Sequence, residues 1–136
     1  TELTRTTFCV AVPLTHRLAS KPHITVEDLS GEYLYLMRPG WSSSVDALRV
    51  WLTRYHPTVH LENFDFYSIS VFNQSQIRDA VLLAVPYWKM THPLLKVIPV
   101  DWRFTISFGF LHSPQPSLKV KQFLAAVKAA ADQVEL

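Results

Sequence analysis

Three consecutive serines, Ser42, Ser43 and Ser44, follow a Pro39-Gly40 turn and open a segment with helical apolar spacing. The first N–H groups of a helix lack intrahelical partners, and the helix dipole favours negative charge there. A carboxylate or phosphate can use both, with serine hydroxyls as further donors. The plainer role is a cap, with Ser43 accepting from the first turn and Asp46 closing a capping-box-like pair. One cap needs one serine, so both roles fit. Arg38 precedes the turn and suits a carboxylate. Aromatic and amide groups further on, Tyr67, Phe72, Asn73, Tyr87 and Trp88, can line a pocket or fill a core.

Other chemistries fit less well. Gly40 to Ser44 approximates a nucleophile elbow, but Ser44 stands where the second glycine belongs, which disfavours a serine hydrolase using Ser42. His56 and His60 are four apart, but Pro57 prevents their ligation from one helix, and the chain has no cysteine pair or HExxH helix, so no metal is expected. Three glycines in all exclude phosphate-binding and dinucleotide loops, so no cofactor is expected. Cys9 lies in an apolar run and reads as a buried thiol.

These residues need a scaffold, and the chain is long enough to build one. Its 136 residues suit one domain or part of a larger one, and 49% apolar against 18% charged residues excludes a disordered tail. No apolar run reaches the roughly 18 residues of a membrane span. A net charge of +2 without a basic run is no nucleic-acid footprint. A single cysteine and no signal-peptide layout point to the cytoplasm.

Residues 8–12, 33–37 and 81–85 are short, almost continuously apolar runs, as in strands covered on both faces. Residues 24–31 read as a short helix from Thr25 to Gly31, with Asp28 three residues after the cap. Residues 42–54 read as the clearest helix, with Val45, Leu48, Leu52 and Tyr55 on its apolar face and His56-Pro57 as its stop. Residues 58–64 alternate as a strand, and residues 66–77 lean to a short helix. Residues 94–100 read as a strand. Residues 104–112 read as a strand covering a core on one side only, through Phe104, Ile106, Phe108 and Phe110. Ser117 caps a last helix to about Asp132, with Val120, Phe123, Leu124, Val127 and Ala131 as its stripe. The alternation predicts an α/β fold.

The order of elements over residues 7–49 resembles the effector-binding domain of LysR-type transcriptional regulators. The resemblance rests on a strand, a Pro-x-x-His-x-Leu-Ala element (Pro13, His16, Leu18, Ala19), Ile24, Glu27-Asp28-Leu29, a second strand and a serine-opened helix. Residues 79–127 are similar to the same family through a Trp-x-x-x-His-Pro element (Trp88, His92, Pro93) and a Pro-Val-Asp-Trp element (Pro99 to Trp102). The resemblance implies a periplasmic-binding-protein-like (type 2) lobe with a mainly parallel sheet flanked by helices, plus a C-terminal helix. The second lobe would span about residues 9–108, and the return strand and C-terminal helix about residues 104–132. Most of the first lobe would be missing.

The implied function is effector sensing, with a small anionic co-inducer in a cleft between two lobes, and no enzymatic activity. Arg38, Ser42, Ser43, Ser44, Tyr67 and Asn73 are the candidate contacts. The implied partners are the effector and a second copy of the chain, with DNA only through an N-terminal helix-turn-helix that these residues do not include, and no membrane. The alternative is a free-standing ligand-binding or protein-interaction module. One departure stands out. Relatives carry a glycine-rich approach to the strand at residues 81–85, whereas here the residues are Asp79-Ala80-Val81-Leu82-Leu83, and side chains at Val81 and Leu82 are expected to narrow any ligand approach.

Overall fold

The computed structural model describes residues 1–134. In chain order the elements are β1 (Glu2–Thr7), β2 (Cys9–Pro13), β3 (Tyr33–Met37), α1 (Ser43–Tyr55), β4 (His60–Phe64), α2 (Ile69–Ile77), β5 (Val81–Ala84), β6 (Leu95–Pro99), β7 (Thr105–Gly109) and α3 (Leu118–Ala131). Short 3₁₀ turns occupy Glu27–Leu29 and Pro86–Trp88. The chain divides into two compact units, Thr7–Ile106 and a smaller one made of Thr1–Thr6 with Ser107–Leu136.

The larger unit is built on a five-stranded sheet ordered β4-β3-β5-β2-β6. β3 runs parallel to β4 and β5, while β2 runs antiparallel to both β5 and β6, so the sheet is mixed. Alternation along each strand feeds two cores, since successive side chains leave opposite faces. Val10, Val12, Leu34, Leu36, Val81 and Leu83 pack with Val45, Leu48 and Leu52 of α1. Ala11, Tyr35, Leu82 and Ala84 pack with Phe72 of α2. Two covered faces explain why β2, β3 and β5 read as nearly unbroken apolar runs. Tyr55, expected on the buried face of α1, is instead exposed, because the helix ends there at His56.

Two of the short motifs that carry the resemblance act as clasps. His16 is buried; its Nδ1 accepts the Leu18 N–H at 3.1 Å, so in the neutral ring Nε2 carries the proton and donates to Glu32 at 3.0 Å. Arg17 closes on the same carboxylate at 2.6 Å. In the second element, Asp101 accepts the Val26 N–H at 3.0 Å, and the Trp102 indole N–H donates to the Phe8 carbonyl at 2.7 Å. Thr25 and Asp28 form the expected reciprocal pair, but the turn they open is a single 3₁₀ turn, with Gly31 at φ +82° behind it.

Asp79 explains the missing glycine. Ala80 N–H bonds to Ser75 O and Asp79 N–H to Gln76 O, the two bonds of a Schellman end to α2, and Asp79 takes φ +52°. Val81 and Leu82 point into the two cores rather than over a ligand approach, contrary to expectation. Asp79→Gly removes left-handed strain. It is expected to raise the unfolding free energy by about 0.5–1 kcal/mol, read as a higher urea midpoint at unchanged slope.

In the smaller unit, Ser117 caps α3 by accepting the Val120 N–H at 3.4 Å. No residue of α3 is buried: Val120 and Phe123 are exposed, and Leu124, Val127 and Ala131 are half-buried. Phe110 packs edge to face on Phe123 at 5.7 Å. β1 and β7 pair in a two-stranded sheet. Phe108 and Phe110, expected to cover a core, are 46% and 40% exposed.

Candidate functional site

Connections around the parallel strands define where a ligand can enter. The chain leaves β3 through α1 to reach β4, then returns through α2 to β5 on the far side of β3. α1 and α2 lie on opposite faces of the sheet. Such a reversal opens a crevice at the carboxyl ends of the strands, here between β3 and β5. Arg38 and the serine run follow β3 directly.

Ser42, not Ser43, is the cap of α1. Its backbone is extended (φ −148°) and its hydroxyl accepts the Val45 N–H at 3.4 Å. Asp46 therefore lies one place beyond a capping box, and its carboxylate instead accepts the Gly40 N–H at 3.0 Å. This bond holds the turn in which Gly40 takes φ +89°. Ser43 and Ser44 form the first turn of the helix, where N–H groups have no intrahelical acceptor. Among the described residues, neither of their hydroxyls has a hydrogen-bond partner.

Arg38 is half exposed, 3.2 Å from the Asp65 carboxylate, with its guanidinium 4.8 Å from the centre of the Trp41 ring. Arg49 of α1 donates to the Met37 carbonyl at the end of β3 at 2.7 Å, and its Nε is buried without a partner. Burial pushes its guanidinium below the ordinary value. Two arginines and a helix N-terminus thus converge near the end of β3, offset by Asp46 and Asp65.

Tyr67 and Asn73 are less available than their types suggest. The Tyr67 ring meets Phe64 at 4.7 Å and Trp88 at 4.5 Å, and its hydroxyl donates to the Leu83 carbonyl at 2.7 Å. Burial pushes this phenol well above its ordinary value. Asn73 Oδ1 lies 3.0 Å from His92 Nε2. Because His92 Nδ1 accepts the Leu94 N–H at 3.1 Å, Nε2 is the donor in the neutral ring. The pair pins α2 to the loop after β5. The Arg38 and serine group therefore sits together, while Asn73 belongs to a separate clasp.

Sequence reasoning passed over Trp41, Phe66 and Arg49. Trp41 and Phe66 make an edge-to-face pair at 4.5 Å while remaining 46% and 58% exposed. A tryptophan inside a Pro-Gly-Trp-Ser turn was the available signal.

No family model matches the sequence, and no curated protein matches it either. Solved structures do match by fold. The regulatory domain of CcmR from Synechocystis PCC6803, determined in complex with 2-PG, superposes with a TM-score of 0.64 at 18% identity, over 96% of this chain and 65% of that one. The effector-binding domain of QuiR in complex with shikimate gives 0.69 at 16% identity, over 99% and 66%. HinK, a LysR family transcriptional regulator from Pseudomonas aeruginosa, gives 0.66 at 16% identity, over 96% and 47%. This chain thus spans about two thirds or less of these structures. The fold of this chain is therefore that of the effector-binding domains of LysR-type regulators, over that part of their length.

Proposed function

We propose that this chain is the greater part of the effector-sensing domain of a LysR-type transcriptional regulator. It binds a small anion at the carboxyl end of β3, through Arg38 and the first turn of α1. The observation that carries the reading is the pair of unpartnered hydroxyls on Ser43 and Ser44, in a first helical turn at the sheet's reversal point. CcmR with 2-PG and QuiR with shikimate support it as fold neighbours with small molecules bound. The remaining third of such a domain supplies an opposing lobe and covers the stripe of α3. The whole protein works in the cytoplasm as a homo-oligomer, contacting DNA through a domain outside these residues. Tyr67 shapes the pocket with its ring, and Asn73 fixes the loop after β5.

The test is an NMR titration of the amides of residues 42–45 with acetate and with sulfate. Those amides are expected to move with weak affinity, and Ser44→Ala to weaken binding about tenfold or more, since a hydrogen bond to a charged group is worth roughly 1.5–3 kcal/mol. Ser42→Ala is a poor probe, because loss of the cap itself costs about 1 kcal/mol. Amides that stay still while the fold is intact would reduce the serines to a cap and a solvated turn.

A further inference from the structure

We infer that the effector is a planar, unsaturated or aromatic carboxylate, recognised by Trp41 and Phe66 beside Arg38. The inference rests on the anion site proposed above and deepens it. Trp41 lies in the loop between β3 and α1, one residue before the cap, and Phe66 lies two residues past the end of β4. These two loops leave the carboxyl ends of adjacent parallel strands. The rings pack edge to face with 83° between their planes, yet each keeps about half its surface in water.

Another exposed aromatic contact of the larger unit, Tyr33 stacked on His60, lies at the opposite, amino ends of β3 and β4. Phe64, Tyr67, Phe72 and Trp88 also touch one another, but Phe72 is buried and the others are half-buried against the sheet. Trp41 and Phe66 hold each other at the rim instead. Two large rings kept in solvent form an apolar surface that a ligand can cover. Arg38 completes the set. It lies over the Trp41 ring and pairs with Asp65, so its guanidinium is held at the edge of the aromatic surface. A flat ring packed on Trp41 or Phe66 would carry its carboxylate towards Arg38 and the free serine hydroxyls. A saturated ring of equal charge keeps the ion pair but loses the aromatic contact, which double-mutant cycles put at a factor of about two to ten.

Titrations of the 136-residue chain with benzoate, cyclohexanecarboxylate and acetate separate the two levels of the argument. The readouts are the amides of residues 42–45 and the indole N–H resonance of Trp41. Benzoate is expected to bind about threefold or more tighter than cyclohexanecarboxylate and to move the Trp41 indole resonance. Trp41→Ala, a change at an exposed loop position, should abolish that preference while both acids still move the helix amides. Phe66→Leu should reduce it. If benzoate and cyclohexanecarboxylate bind equally, with the amides of residues 42–45 responding to both, the aromatic inference is overturned and the anion site stands. If no carboxylate moves those amides, the anion site fails and the inference falls with it. Retention of the full preference in Trp41→Ala would also overturn the inference.

Discussion

Replacing Trp102 by alanine will lower the unfolding free energy of the Thr7–Ile106 unit by about 3–5 kcal/mol, the usual range for emptying a large aromatic site in a core. Trp102 is 5% exposed and belongs to the core on the α1 side of the sheet. Its indole also donates to the Phe8 carbonyl at 2.7 Å. Trp102→Phe separates the two contributions, keeping most of the volume and leaving that carbonyl without its donor, at about 1–3 kcal/mol. Urea unfolding followed by far-ultraviolet circular dichroism measures both. A loss below about 1 kcal/mol for the alanine variant, the level of an ordinary surface change, would show that the indole is not a core element.

The second large effect is expected at Gly109. A Cβ placed there would lie 2.1 Å from the Thr1 carbonyl oxygen and 3.0 Å from Glu2 Cα. Both obstacles are backbone, so no rotamer change relieves them. The strands themselves must separate, and the bond from the Phe110 N–H to the Thr1 carbonyl, 2.9 Å long, is the first to go. Gly109→Ala should cost about 1–3 kcal/mol, as overpacking generally does. Amide exchange at Phe110 should quicken at least about tenfold, the equivalent of 1.4 kcal/mol. Unchanged exchange at Phe110 would refute the close approach of β1 and β7.

The parts of this fold that could be read from sequence are those in which burial imposes a local pattern. Tyr33 to Met37 and Val81 to Ala84 read as strands because both their faces are covered. The same pattern says nothing of direction, so the antiparallel run of β2 between β5 and β6 was invisible in Val10, Ala11 and Val12. α2 was ambiguous because it buries only Phe72 and Ser75. At the candidate site, residue type located the cap to within one position. Three identical side chains cannot be ranked by type, and the choice fell to the Asp46 carboxylate, which bonds to Gly40. The Asn73–His92 pair spans 19 residues and leaves no local mark. Trp41 and Phe66 lie in separate loops and meet only because β3 and β4 are parallel neighbours, which no local pattern encodes.

The bond from the Phe8 N–H to the Phe104 carbonyl, 3.0 Å long, joins the entry and the exit of the larger unit. The polypeptide thus arrives and departs side by side, so the unit is topologically an insert. A short linker could weld its two ends, and new termini could be cut within the exposed stretch at residues 20–23 without severing a strand or either main helix. Such a circular permutant would keep every pairing of the five-stranded sheet. It would carry the Arg38 and serine group as a portable module, without the two-stranded sheet of β1 and β7.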